Sequence, residues 1–312
     1  MRGLLSFIVL HIFAHGNLIT ERRKHMSTQT ESVFEKISRE YYELTASEKK
    51  TADFVMNNQH DTQYMSIAEL AEASDVAEAT VSRFCRRLGY KGYNAFKLAV
   101  ANSAAVIKHD AGALYGQVEE TDSFEDMCSK LYSADTAAMG QTMELLNAEA
   151  VKTAVDILEA ADKVLCMGQG GSMLLAADAA YVFATMGNKF FPVSDAHLQV
   201  ISAATMTEKD AILFFSYSGA TKDMRDTLSI AREQGAKIIL ITRFPKSPGA
   251  VFADVVLQCG SSESPLQMGS VAAKIAQLFL VDIIFSEMCR RNMDKCFENR
   301  ERIAAALSEK HL

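Results

Sequence analysis

The sequence predicts two units: an all-α N-terminal domain joined to an α/β domain built on a five-stranded parallel sheet flanked by helices. Three observations carry that prediction. Residues 30–106 hold helical patterning with no strand-like run. From Lys163 onward the short apolar runs KVLCM, KFFPV, AILFFS, KIILIT and DVVLQ alternate with helix-period segments. Continuous apolar runs separated by helices mark parallel strands buried on both faces. The chain has 312 residues, 49% hydrophobic and 23% charged, which is enough for two cores.

The all-α unit is read from its caps and apolar stripes. SVFEKISREYYEL comes first, then TASEKKTADFVMNN, where Thr45 and Glu48 stand at capping-box spacing. SIAELAEAS repeats the device with Ser66 and Glu69, and directs Ile67, Leu70 and Ala71 inward. Ser74, Asp75 and Val76 form a short turn, with Val76 also pointing inward. EATVSRFCRRLG follows and stops at Gly89, placed to end the helix in the left-handed conformation. YNAFKLAVANSAA closes the unit.

The segment 79–88 has two unlike helical faces. Val81, Phe84, Cys85 and Leu88 share an apolar stripe. Ala79, Ser82, Arg83 and Arg86 point the other way, with Thr80 and Arg87 flanking. A helix, a tight turn and a second helix with a small, hydroxylated and basic outer face make a helix-turn-helix pattern, at about residues 66–85. Small side chains let the backbone approach base edges, and Arg83 and Arg86 reach guanine or phosphate. From Ala79 to His109 there is no Asp or Glu, while Arg83, Arg86, Arg87, Lys91, Lys97 and Lys108 all occur. The net charge of −7 is a whole-chain average; an acid-free window in an acidic chain points to a local anionic partner. A solvated basic helix in an ordinary bundle is the competing reading, and the caps, the turn and the window together favour DNA. The candidate DNA-contacting residues are Ser66, Ala79, Thr80, Ser82, Arg83, Arg86, Arg87 and Lys91.

Patterning fades over 107–122, which is read as a linker. Helical stretches at 123–146 and 149–161 lead into the α/β unit, assigned to 123–292, and 293–312 is read as a C-terminal helix. Within the α/β unit, helices are expected near 172–186, 198–205, 221–234 and 269–291. Residues 1–29 are an extension. MRGLLSFIVLHIFAHG has Arg2, an apolar run and small residues at Ala14 and Gly16, the outline of a weak signal peptide. That run is too short to span a bilayer. The reading adopted is a mis-called start, with the native chain beginning at Met26, because a DNA reader works in the cytoplasm.

Two loops carry the chemistry of the second unit. KVLCM runs into GQGGS, Gly168 to Ser172, and then into a helix. A dinucleotide fingerprint is the alternative, but Met173 stands where its third glycine belongs, and no acidic residue ends the strand KFFPV. AILFFS runs into SYSGAT, where Ser216, Ser218 and Thr221 offer hydroxyls around Gly219. Backbone amides and the N-terminus of the next helix add donors and a positive dipole end, so the loop suits phosphate. Two such loops at the carboxyl ends of parallel strands share one crevice. An N-capping Ser/Thr cluster without a ligand is the plainer alternative.

These residues resemble the RpiR family of bacterial transcription regulators. MSIAELAEASDVAEATVSRFCRRLGYKGYNAFKLAV resembles that family's N-terminal domain. GQGGS, SDAHLQ, FFSYSGATKD and ESPLQMGSVAAKIAQLFLVDIIF resemble the sugar isomerase (SIS) domain that completes it. The resemblance implies a homodimer or homotetramer whose SIS domain binds a phosphosugar effector and alters binding to double-stranded operator DNA. It implies that Ser172, Ser216, Ser218 and Thr221 surround the phosphate and that Glu263 sits near the pocket mouth. Gly168, Gly170 and Gly219 complete the candidate ligand-binding set. Gln267 stands where many relatives have an arginine after ESPL, so no particular relative's sugar is carried over.

The alternative function is an aldose–ketose sugar-phosphate isomerase with an appended nucleic-acid-binding domain. Such chemistry needs a base beside a carbonyl and a group to open the ring. Glu263, His197 and Asp195 are the candidates. No segment like the ELKHG of glucosamine-6-phosphate synthase occurs, and the reader domain argues for sensing without turnover. No cofactor, metal or membrane partner is expected. Cys85, Cys128, Cys166, Cys259, Cys289 and Cys296 show no CxxC spacing and read as reduced thiols, with Cys85 and Cys166 in the cores.

Overall fold

A computed structural model describes residues 32–109, 113–114, 118–261 and 270–308. The first unit is helical: α1 (Val33–Glu40), α2 (Ala46–Asn57), α3 (Ile67–Ala73), α4 (Glu78–Arg87) and α5 (Tyr93–His109). Thr45 and Ser66 cap α2 and α3 through reciprocal bonds with Glu48 and Glu69. Ser32 and Glu35 form a third such box on α1 that the sequence reading passed over. Each cap satisfies amides that a helix start leaves orphaned, an effect of about 0.5–2 kcal/mol. The stripe Val81, Phe84, Cys85 and Leu88 is buried. It packs on Leu70 of α3 and on Phe96 of α5, whose ring stands edge-on to Phe84 at 5.6 Å. Gly89 ends α4 with φ 85°, and the Tyr90 amide reaches back to the Cys85 carbonyl at 3.0 Å.

Helix α5 continues past residue 106 to His109, and a small antiparallel ribbon lies in the stretch read as a linker. It pairs β1 (Ala113–Leu114) with β2 (Val118–Glu119). So short a pairing leaves no side-chain period to read.

The second unit begins with α6 (Phe124–Glu144) and α7 (Ala148–Ala160). It continues through β3 (Lys163–Gly168), α8 (Ser172–Ala184), β4 (Phe190–Val193), α9 (Ala196–Ala204) and β5 (Asp210–Phe215). Then follow α10 (Lys222–Glu233), β6 (Lys237–Thr242), β7 (Val255–Gln258), α11 (Val271–Arg291) and α12 (Met293–Ser308). The five strands β3 to β7 are parallel, in the order β4-β3-β5-β6-β7. Strand residues alternate between two cores. Cys166, Leu213, Phe215 and Ile239 face α7, α8 and α11. Met167, Ile212, Phe214 and Leu240 face α9 and α10. Burial on both faces is why β3, β5 and β6 read as unbroken apolar runs, whereas the edge strand β4 leaves Phe191 and Pro192 exposed.

Burial pushes the thiols of Cys85 and Cys166 up to about 12, so both stay protonated at neutral pH. Among the described residues no helix is long and apolar enough to cross a membrane.

Candidate functional site

The turn between α3 and α4 is made by Asp75, which takes a left-handed φ of 52° and is held by Lys50 at 2.6 Å. The Val76 amide then reaches the Ala71 carbonyl at 2.9 Å, which sets the angle at which α4 leaves. Ala79, Arg83 and Arg86 are exposed on the outer face of α4, and Ser82 is half-buried there. Thr80 differs from expectation. It is buried, 6% exposed, and its Oγ1 accepts a bond from Arg83 Nη2 at 3.1 Å. The Thr80 hydroxyl is thus engaged within α4 by the Arg83 guanidinium.

Arg87 turns back toward α2, where Nη1 lies 3.5 Å from Glu48 Oε2. Burial pushes the Glu48 carboxyl up, but hydrogen bonds from Thr45 and the charges of Arg87 and Arg83 outweigh this and hold it below the usual carboxylate range. Arg87 is therefore tethered at the edge of the face, and Lys91 is exposed just beyond α4. The Ser66 hydroxyl accepts from the Glu69 amide at 3.2 Å, a capping bond that fixes the start of α3.

In the second unit the strand order reverses at β3, which pairs with β4 on one side and β5 on the other. Gly168 and Phe215 are register partners, so the two strands end level. The loops that follow diverge from this point, and a crevice opens outside the strand ends, as the topology of parallel sheets requires. It encloses about 840 Å³ and is lined by Ser172, Ser216, Ser218 and Thr221, all four of the hydroxyl residues assigned to it.

Gly171 lines the crevice, whereas Gly168, Gly170 and Gly219, the glycines assigned to the ligand, are not among the described lining residues and shape the loops instead. Gly219 has φ 57°, and a Cβ there would lie 2.1 Å from Ser247 Oγ, so any side chain would both strain the turn and collide. Gly168 is needed because a Cβ would lie 2.5 Å from the Ser172 carbonyl oxygen, backbone that cannot yield.

The hydroxyls are poised as donors. Ser216 Oγ accepts from the Gly219 amide at 3.2 Å, and Ser218 Oγ accepts from the Ala220 amide at 3.3 Å. Each keeps its own proton for a further partner. Thr221 occupies the N-cap position of α10, yet its side chain makes no capping bond. That departs from a purely capping cluster.

Sequence reasoning missed several lining residues. Lys222 follows the serine loop directly, and Lys274 and Gln277 descend from the first turns of α11. Gln277 is 2% exposed; its Nε2 donates to the Ala273 carbonyl at 3.0 Å, while its Oε1 has no partner. A polar pair inside the otherwise apolar first half of that helix was the available signal. Lys97 and Asn94 of α5 also line the crevice, with nothing in their local sequence to place them there.

Glu263 and Gln267 lie outside the described residues. Asp195 caps α9 by accepting from the Leu198 amide at 2.8 Å, and His197 is exposed on that helix. Neither is among the described residues that line the crevice.

Residues 31–106 match the helix-turn-helix domain of the rpiR family, and residues 157–287 match the SIS domain. An HTH-type transcriptional regulator of Haemophilus influenzae is 30% identical over 90% of this chain and 98% of its own length. Another, from Caldanaerobacter subterraneus, is 32% identical over 85% of this chain and 93% of its own. Among solved structures, the Vibrio vulnificus NanR protein complexed with ManNAc-6P superposes with a TM-score of 0.79 at 24% identity, covering 90% of this chain and 99% of that one.

Proposed function

This chain belongs to the rpiR family of helix-turn-helix transcriptional regulators that carry a SIS domain, and from that premise we propose that its crevice binds a phosphorylated sugar whose occupancy changes operator affinity. The observation that carries the reading is the convergence of three serine and threonine donors, Ser216, Ser218 and Thr221, with the ammonium groups of Lys97, Lys222 and Lys274 on one crevice. Hydroxyls and ammoniums that surround a concave site suit an anion with several acceptor oxygens. The V. vulnificus protein is complexed with ManNAc-6P, which sets the ligand class to test first.

The reader domain joined to the crevice supports sensing over turnover. Among the described lining residues, Asp223 is the one carboxylate and no histidine is present. An isomerase would need a base and a ring-opening group at the sugar. In operator-binding titrations, the sugar phosphate and the DNA should alter each other's affinity by the same factor, about 5- to 150-fold. The duplex is selected by the protein from a random-sequence pool. Aldose–ketose exchange during the same incubations would move the assignment to the isomerase. Equal DNA affinity with and without every sugar phosphate tried would remove the sensing role.

The chain acts as a two-fold assembly in the cytoplasm, where its DNA is. Phe124, Leu131, Tyr132, Met139 and Met143 form an exposed apolar stripe along α6, more than a solvated helix carries. Isologous pairing would set two readers on one duplex, with half-sites a whole number of helical turns apart. Sedimentation velocity at micromolar concentration should show a dimer or larger species. Monomer alone, with and without DNA, would refute the pairing.

A further inference from the structure

The crevice is not walled by the SIS unit alone. Helix α5 of the reader contributes Asn94, Lys97 and Leu98 to its lining. The ammonium of Lys97 sits 5.4 Å above the ring of Phe244, which itself lines the crevice. Phe244 meets Tyr217 edge-on at 5.9 Å, and Tyr217 immediately precedes Ser218. A continuous set of contacts therefore runs from a reader lysine to the serine loop. Tyr217 is anchored from behind, where its hydroxyl donates to the Ser261 carbonyl at 3.0 Å.

The polar groups divide the crevice by chemistry. The serine loop, Lys97, Lys222 and Lys274 present donors and positive charge, which suit phosphate. Gln277 presents the opposite: a buried acceptor with no partner. The Ala273 carbonyl engages the nitrogen, so the oxygen is the unpaired atom of this buried amide. A buried acceptor left unpaired is unfavourable, and phosphate oxygens offer it no proton. A sugar hydroxyl does. The serine loop and the lysines thus match the anionic end of a ligand, and Gln277 marks the side of the crevice formed by α11.

Elsewhere the two units touch lightly. Lys246, in the loop after β6, pairs with Glu72 of α3 at 2.5 Å, with both side chains well exposed. Exposed pairs of this kind add little stability. A ligand gripped from both sides would then weigh heavily in setting the reader's orientation.

We propose that Lys97 is an effector-contacting residue supplied by the reader, so that one phosphosugar is held by both units at once and its binding fixes the reader against the sheet. This rests on the sensing role proposed above. It names the group through which occupancy is passed to the DNA-binding face.

The test uses the full chain and calorimetric titration with N-acetylmannosamine 6-phosphate, glucose 6-phosphate and fructose 6-phosphate. Operator affinity is measured with and without whichever binds best. Lys97→Ala should weaken that sugar phosphate about ten-fold or more, the loss expected for a charge-assisted bond. It should also shrink the effect of the sugar on DNA affinity, and Lys97→Arg should restore both. Lys97→Met, which keeps the stem on Phe244, serves if the alanine variant is unstable; its expected losses are the same.

Suppose Lys97→Ala binds sugar phosphate like wild type while Ser218→Ala does not. Then Lys97 is only a wall, and the inference fails with sensing intact. Weakened sugar binding with undiminished effect on DNA overturns the bridging role. If wild type binds none of the three sugars, the sensing role falls and this inference falls with it.

Discussion

Replacing Ser216 and Ser218 together by alanine is expected to abolish the response to sugar phosphate while apo DNA binding and folding persist. Each hydroxyl donates to a charged group in the proposed complex, and each loss is about 1.5–3 kcal/mol. The pair is therefore expected to weaken the ligand by about 3–6 kcal/mol, less any coupling between neighbours. The loop should survive the change for a specific reason. The Gly219 amide bonds to Ser216 Oγ at 3.2 Å but also to the Ser216 carbonyl oxygen at 3.1 Å, so it retains an acceptor when the hydroxyl is gone. Calorimetry and the apo melting temperature read the two effects separately. A double variant that still responds to the ligand would place the effector elsewhere. A folded variant that loses apo DNA binding would make the loop an architectural element.

Arg83→Ala combined with Arg86→Ala should weaken the selected operator by about 2–6 kcal/mol, at about 1–3 kcal/mol for each base contact. Scrambled DNA should lose much less. Arg87→Ala and Lys91→Ala should behave differently, weakening all sequences alike and flattening the salt dependence, as phosphate contacts do. The position of Thr80 sharpens the contrast. Because its Oγ1 holds Arg83 at 3.1 Å, Thr80→Val should reproduce part of the Arg83→Ala loss without removing a charge. Gel shifts on selected and scrambled duplexes at several salt concentrations separate these outcomes. Arginines that behave as neutral surface residues would mean that α4 is not the recognition helix.

Much of this molecule is legible one segment at a time, because the physics there is local. The capping boxes at Thr45 and Ser66 need only residues three apart, and the stop at Gly89 needs only a left-handed φ. The central strands β3, β5 and β6 are legible because burial on both faces demands unbroken apolar runs. The serine and glycine loops are legible because a sharp strand-to-helix turn requires particular residue types. Fold class, strand order of appearance and the hydroxyls of the crevice are thus properties of short stretches of chain.

What the tertiary structure alone decides depends on how the elements pack. Thr80 reads as an exposed flank of α4, yet packing buries it and turns it toward Arg83. Arg87 reads as one more freely exposed basic residue, yet Glu48 on α2 tethers it at the edge of the face. Gln277 reads as a polar residue in an apolar stretch of helix, and only packing buries it among the residues that line the crevice. Lys97 reads as one more charge in an acid-free window, and the docking of α5 beside Phe244 sets it in the crevice. Periodicity reports which way a side chain leaves its own helix or strand. What stands opposite is settled by how the elements pack, and no local pattern encodes it.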